Sequence, residues 1–188
     1  TLFRSVGLDL SGDGLHRRGY RSESGGAPLK ENLAAAILLR AGWPRVAAAG
    51  GALVDPMCGS GSLLIEGAWM AADQAPGLLR EYWGFAGWLG HDEDVWHGLL
   101  DEADERAEAG RERLPVIAGS DRDAAAIGID RTCARRAGFG SAIALAVGEL
   151  NALTAPEGAA PGLVATNPPY RARLGESEAR LAASERLF

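Results

Sequence analysis

The chain has 188 residues, 47% of them hydrophobic and 23% charged, enough for one domain with a real core. A chain of this size buries roughly 70% of the surface it would expose unfolded. Acids outnumber Lys and Arg by 25 to 19, and the net charge of −6 is the wrong sign for a chain-wide phosphate-binding surface. Two cysteines far apart (Cys58, Cys133) and three scattered histidines (His16, His91, His97) form no zinc-ligand cluster, so no metal is expected. No run of about 18 apolar residues exists, which excludes a membrane-spanning helix. Unpaired cysteines fit a reducing, cytoplasmic location. The chain opens on Thr1 with neither a secretory leader nor an initiating Met, and is expected to be a piece of a longer protein.

In chain order, residues 4–20 read as a hairpin. Val6, Leu8 and Leu10 alternate with small or polar residues, and Ser11-Gly12-Asp13-Gly14 is turn chemistry. Pro28 then opens a helix with Leu33, Ile37 and Leu38 at helical spacing, ending near Gly42 and Pro44. Gly51–Asp55 is a short apolar run that ends on an acid, like a buried parallel strand. A glycine-rich turn from Pro56 to Gly61 and a helix from about Ser62 to Ala72 follow. An aromatic stretch carrying Trp83, Phe85, Trp88 and Trp96 leads into a charged helix, roughly Asp94 to Arg113. Two readings stand for these tryptophans: a packed insertion, which we favour, and a base-stacking platform.

A second strand, Pro115 to Gly119, precedes Asp121 and a helix from Asp123 to Ala137. A third strand spans Ile143 to Val147, and a fourth, Gly162 to Thr166, runs into Asn167-Pro168-Pro169-Tyr170. Strands alternating with helices predict an α/β domain, a doubly wound, mostly parallel sheet. Arginines cluster twice, at Arg17, Arg18 and Arg21 and at Arg131, Arg135 and Arg136; the second cluster reads as a solvated helix face.

Three motifs sit at the carboxyl ends of predicted strands, where ligands of open α/β sheets bind. In Asp55-Pro56-Met57-Cys58-Gly59-Ser60-Gly61-Ser62, Gly59 and Gly61 let the backbone pass close to a ligand, and the following helix offers free N–H groups. The loop lacks the GxGxxG spacing of a dinucleotide site, and a tight turn without a ligand would also explain its glycines. Asp121 can accept hydrogen bonds from both hydroxyls of a ribose, or it can cap the helix beginning near Asp123. It follows Asp55 by 66 residues, not the ~20 that separate glycine loop and acid in a minimal dinucleotide unit, so residues 73–113 read as an insertion. The third motif, Asn167 to Tyr170, carries two prolines that remove backbone donors and stiffen the turn. A stiff loop with an amide and an aromatic ring suits a flat base with an exocyclic amino group.

With these motifs in this order, the chain resembles the class I S-adenosylmethionine-dependent methyltransferases of the amino-methylating branch. More closely, it resembles the bacterial 23S ribosomal RNA guanine-N2 methyltransferases of the RlmL type, which pair an RNA-binding THUMP domain with this catalytic domain. The likeness covers nearly the whole chain. It includes Asp9-Leu10-Ser11-Gly12, Leu15 to Arg21, Ala27 to Ala34, Asp55 to Ser62, Ala71 to Leu78, Thr166 to Tyr170 and Arg173 to Glu176.

The resemblance implies a Rossmann-like fold, S-adenosylmethionine as cofactor and an RNA partner, 23S rRNA or its precursor particle. Asp55, Pro56, Cys58, Gly59 and Gly61 then form the loop at the methionine end of the cofactor, and Asp121 holds its ribose. Glu149 contacts the adenine amino group (a surface loop acid is the competing reading), and Leu29, Lys30 and Asn32 cover the cofactor from the other side. Asn167, Pro168, Pro169 and Tyr170 hold the guanine. For Cys58 itself, a small buried filler is the simpler account.

By the same likeness, residues 1–26 link to a THUMP domain upstream, 27–188 are the methyltransferase domain, and the last three of seven strands lie beyond Phe188. The family reads Gly-Glu-Arg-Leu after the NPPY motif, where this chain has Arg171-Ala172-Arg173-Leu174, a change expected to alter loop closure or base access. A tRNA guanine-N2 enzyme, a DNA adenine-N6 enzyme, a non-catalytic RNA-binding module and a nicotinamide oxidoreductase are the alternatives.

Overall fold

The computed structural model describes residues 7, 9–21 and 29–168. Its elements run α1 (Glu31–Arg40), α2 (Trp43–Ala48), β1 (Gly51–Asp55), α3 (Ser62–Ala71), α4 (Glu93–Arg111), β2 (Ile117–Asp121), α5 (Ala124–Arg136), β3 (Ile143–Val147) and β4 (Ala160–Val164). The four strands form one parallel sheet in the order β3-β2-β1-β4. The chain therefore steps outward from β1 through β2 to β3 and crosses back to β4, which puts a topological switch point at the carboxyl end of β1.

Register decides which side chains share a face. Leu53, Ile117 and Ile143 lie side by side across β1, β2 and β3 and are all buried. α3 packs against β1 and β2, and α5 against β2 and β3. From Ser62 to Trp69 every residue of α3 is buried, as expected for a helix enclosed on all sides. Two indoles anchor it: Trp43 donates to the Gly67 carbonyl at 2.8 Å and Trp69 to the Ala137 carbonyl at 3.2 Å. A buried indole N–H left unbonded would cost ~1–3 kcal/mol, so these bonds also dictate where α2 and α5 sit.

Several boundaries differ from expectation, each for a local reason. Residues 9–21 contain no strand. Asp9 accepts hydrogen bonds from the Ser11 N–H and hydroxyl, and Phe85 N–H donates to the Leu10 carbonyl at 3.0 Å. Residues 9–21 therefore lie against the aromatic stretch. Of the residues expected to alternate in that hairpin, Val6 and Leu8 lie outside the described residues.

Gly42, at φ +76°, ends the first helical run, and Pro44 sits in the first turn of α2, where its missing N–H costs nothing. In α1 the inner face is Ala34 and Leu38, while Leu33 and Ile37 are exposed, so the helix is rotated from the face the spacing suggested. β2 runs two residues further than expected because Ser120 and Asp121 stay paired with Ala146 and Val147. β4 starts two residues earlier and takes in Pro161, which an outer strand of the sheet accommodates.

Three rings of the aromatic stretch pack on one another. Trp83, Phe85 and Trp96 sit within 4.8–5.7 Å of one another, centroid to centroid, and Arg80 lies 4.6 Å over the Trp83 ring. Trp88, by contrast, is exposed.

α4 holds two glycines in opposite settings. A methyl group on Gly98 meets nothing within 4 Å, while one on Gly110 would run into the Ala72 carbonyl at the end of α3. Gly98→Ala is expected to stabilise by about 0.5–1 kcal/mol through helix propensity. Gly110→Ala is expected to destabilise by about 1–3 kcal/mol through overpacking. Thermal unfolding of the two variants checks the pair; a stabilised Gly110→Ala would contradict the packing of α4 on α3.

Candidate functional site

The β1–α3 loop carries the first motif. Asp55, 2% exposed, closes β1, and its Oδ1 accepts the Met57 N–H at 3.1 Å. Gly59 and Gly61 both adopt positive φ, +56° and +77°, as the tight turn into α3 requires. No side chain caps α3, so its first-turn N–H groups face the loop uncapped. A side chain on Gly59 would meet nothing within 4 Å, which leaves open space over this stretch of backbone. At Gly61 a methyl group would strike the Asp130 carboxylate, so that glycine answers to packing beneath the loop.

Asp121 at the end of β2 joins the loop directly. Its Oδ2 accepts the Gly59 N–H at 3.0 Å and its Oδ1 accepts the Asp123 N–H at 3.0 Å. The α5 cap is Asp123, whose side chain accepts the Ala125 N–H at 2.8 Å. Asp121 is thus a rim residue of the cleft, not the helix cap. The Cys58 N–H donates to the Ser120 carbonyl at 3.0 Å, and the Gly148 N–H to the Asp121 carbonyl at 3.0 Å. The carboxyl ends of β1, β2 and β3 are therefore stitched together.

The remaining sequence-predicted residues surround this rim. Glu149, just after β3, is exposed; its backbone carbonyl accepts the Ala152 N–H at 3.0 Å and begins a short 3-10 turn (Leu150–Ala152). Lys30 and Asn32 are exposed at the start of α1. Asn167 and Pro168 are half-buried after β4, which continues pairing through the Ala165 N–H to the Val54 carbonyl at 3.0 Å. The Thr166 hydroxyl approaches Asp55 closely enough to favour its charged form, without a well-aligned hydrogen bond. Pro169, Tyr170, Arg171 and Ala172 lie outside the described residues. Cys58 is 7% exposed, and burial followed by the neighbouring Asp130 carboxylate pushes its thiol well up, which keeps it an uncharged filler.

Sequence reasoning missed two features. Arg18 and Arg21, grouped as a basic patch, are engaged inside. Arg18 lies against Glu66 at 3.2 Å, with a second contact of 3.3 Å, and Arg21 lies 3.2 Å from Glu31. Glu31 and Glu66 are themselves buried. The second feature is Asp130, fully buried on the inner face of α5 with no hydrogen-bond partner for either oxygen. Its signal was present: it shares the helical stripe of Ile127, Cys133 and Ala134, an acid among apolar residues.

Burial pushes the Asp130 carboxyl up to about 7, with the charges of Asp55 and Asp121 adding and the Cys58 thiol opposing. Burial also raises Asp55, to about 6, with the Asp121 charge adding. Among the described residues, no group of three or more His, Cys, Asp or Glu could hold a metal, and no helix is long and apolar enough to cross a membrane.

A carboxyl whose folded-state pKa is raised binds its proton more tightly when folded. Stability from that source is full below the unfolded value near 4 and declines as pH rises toward 7. For Asp130 the loss is of order 3–4 kcal/mol across that window. Asp130→Asn is expected to flatten the slope, so that its Tm relative to wild type rises between pH 5 and pH 8. A pH-independent difference in Tm would contradict the assignment.

Residues 18–184 match the family described as RMKL-like, methyltransferase domain. The ribosomal RNA large subunit methyltransferase K/L of Syntrophotalea carbinolica is 61% identical over 92% of this chain, and that of Methylococcus capsulatus 60% over 92%. This chain spans about a quarter of the length of these curated relatives, 24% and 23% respectively. Among solved structures, SMU.472, a protein assigned as a methyltransferase and solved with SAH bound, superposes with a TM-score of 0.78 at 35% identity. A Listeria monocytogenes protein assigned as an N6-adenine-specific DNA methylase superposes with 0.79 at 35% identity. Each superposition covers 93% of this chain and 43% of the other. The stitched strand ends, the open glycine loop and these likenesses lead to one statement of kinship: the chain belongs to the RMKL-like methyltransferase domain family.

Proposed function

We propose that this domain transfers a methyl group from S-adenosylmethionine to the exocyclic N2 amino group of a guanine in 23S ribosomal RNA. The observation that carries the reading is the open backbone over Gly59, held in place by Asp121 at the carboxyl edge of the sheet. In the same reading, residues 1–26 link to an RNA-binding THUMP domain and 27–188 form the methyltransferase domain, with an insertion at about 73–113. The reaction is assigned to the cytoplasm.

S-adenosylmethionine supplies a methyl group on a positively charged sulfur, and its S–C bond breaks as the amine forms its N–C bond. The loop of Asp55, Pro56, Cys58, Gly59 and Gly61 takes the methionine end. Each Asp121 oxygen accepts one backbone N–H and has a second lone pair for a ribose hydroxyl. Glu149 accepts from the adenine amino group, and Lys30 and Asn32 close the site from α1.

The guanine amine is a weak nucleophile because its lone pair is delocalised into the ring. The Asn167 side-chain oxygen and the Pro168 carbonyl accept its two N–H bonds and favour the positive charge that develops on nitrogen. Each such bond is worth ~1.5–3 kcal/mol in the transition state, about ten- to a hundredfold in rate. Pro169 stiffens the turn and Tyr170 stacks on the base, contributing roughly 1–3 kcal/mol. The product ammonium is acidic enough to release its proton to water.

The test incubates the full-length protein with labelled S-adenosylmethionine and unmodified 23S rRNA, tRNA or duplex DNA, followed by nucleoside mass spectrometry. N2-methylguanosine confined to 23S rRNA is expected. Asn167→Ala should lower kcat about ten- to a hundredfold and leave S-adenosylhomocysteine affinity within about twofold. Asp121→Ala should weaken that affinity at least tenfold. Label appearing on tRNA or on DNA adenine would replace the substrate assignment, and binding without any transfer would point to a non-catalytic module.

A further inference from the structure

Arg21 makes a compact set of contacts that the proposed chemistry does not use. Its Nη2 donates to the Leu29 carbonyl at 2.9 Å and to the Ser62 hydroxyl at 2.6 Å. The Ser62 hydroxyl in turn donates to the Leu29 carbonyl at 3.3 Å, which closes a triangle of three polar groups. The Arg21 Nε faces Glu31 at 3.2 Å, an ion-pair contact without hydrogen-bond alignment. Arg21 and Glu31 side chains are 16% and 7% exposed, and Ser62 is 4% exposed, so water competes little for these bonds.

The three segments joined are the informative part. Ser62 is the first residue of α3 and directly follows the glycine turn. Leu29 and Glu31 flank Lys30, at the start of α1. The backbone on one side of the proposed cofactor site is thus tied to the backbone on the other side, through the Arg21 guanidinium and the direct Ser62–Leu29 bond beside it.

Among the described residues, the other hydrogen bond from Ser62 to this segment is the long one of its hydroxyl to the Leu29 carbonyl. Lysine could keep the charge but not the fork that reaches carbonyl, hydroxyl and carboxylate together. One turn along α3, Arg18 pairs with Glu66, so the same strap is fastened at a second point that touches neither Leu29 nor Ser62. That second point is a built-in control.

We infer that Arg21 is a positioning residue for cofactor binding, holding the Leu29–Asn32 segment in register with the glycine loop through Ser62. The inference rests on the proposed function, since it takes the space between those segments as the S-adenosylmethionine site.

The experiment is a double-mutant cycle in the full-length protein. Arg21→Met, Ser62→Ala and both together are read by calorimetric titration with S-adenosylhomocysteine and by thermal unfolding, with Arg18→Met as the comparison. Arg21→Met is expected to weaken affinity about tenfold and Ser62→Ala about threefold. The double variant should be no weaker than Arg21→Met alone, because both changes break one linkage. Arg21→Lys should recover less than half of the lost affinity, and Arg18→Met should lower Tm and leave affinity within twofold.

Ser62→Ala removes a single hydroxyl and keeps the test informative if Arg21→Met does not fold. Additive losses, or an Arg18→Met variant that loses affinity as Arg21→Met does, would overturn the positioning role and make the strap merely structural. A wild-type protein that binds no S-adenosylhomocysteine would instead overturn the functional reading on which the inference stands.

Discussion

The Asp121 carboxylate accepts a backbone N–H from Gly59, 62 positions before it, on one side and from Asp123 on the other. Bonds of this kind, from amide to carboxylate, are roughly twice as strong as neutral ones. They need the β1 and β2 ends to be level, and the register supplies this by placing Asp55 beside Gly119, two residues short of Asp121. The Gly148 bond to the Asp121 carbonyl then brings β3 to the same rim. Three strand ends, a glycine turn and the start of α5 all depend on one acid at the end of one strand. A ligand lying across the sheet edge meets a surface already assembled, so little binding energy is lost in ordering it.

The rim has an unusual charge. Asp55, Asp121 and Asp130 surround a turn at a helix N-terminus, where phosphate sites ordinarily exploit free N–H groups and little negative charge. Burial raises both Asp55 and Asp130 and so favours their uncharged forms. Three carboxyl groups packed around the turn suit a pyrophosphate poorly. This is a second physical reason, besides the missing GxGxxG spacing, why the glycine turn is a poor nicotinamide dinucleotide site.

Much of this was legible beforehand because the relevant signals are local. β1 and β3 have the expected bounds, and α3, α4 and α5 start and stop within two residues of expectation. A short apolar run that ends on an acid and a glycine turn is hard to misread. What was illegible depends on partners far along the chain. Nothing in Arg18 or Arg21 announces that Glu66 and Glu31 await them, so they read as a surface patch. The N-terminal alternation of Leu8 and Leu10 likewise promised a strand, but the Leu10 carbonyl accepts the N–H of Phe85 from the aromatic stretch. Ser120 and Asp121 lay beyond the expected end of β2 at Gly119, and their pairing with Ala146 and Val147 of β3 keeps them in the sheet.

The internal use of those two arginines changes the electrostatic problem of the whole domain. Each is matched by a buried glutamate, and a cation paired in this way has little left to offer a phosphate. α4 adds an exposed, predominantly acidic surface, and its Arg106 is held by Asp73 in a two-point ion pair. A polyanion approaching that side would be repelled. Arg131, Arg135 and Arg136 stay exposed on α5, but Arg131 already bonds the Leu145 carbonyl, and three arginines neutralise few phosphates. On the proposed function, an RNA substrate would approach this domain by the carboxyl edge of the sheet and not by these surfaces.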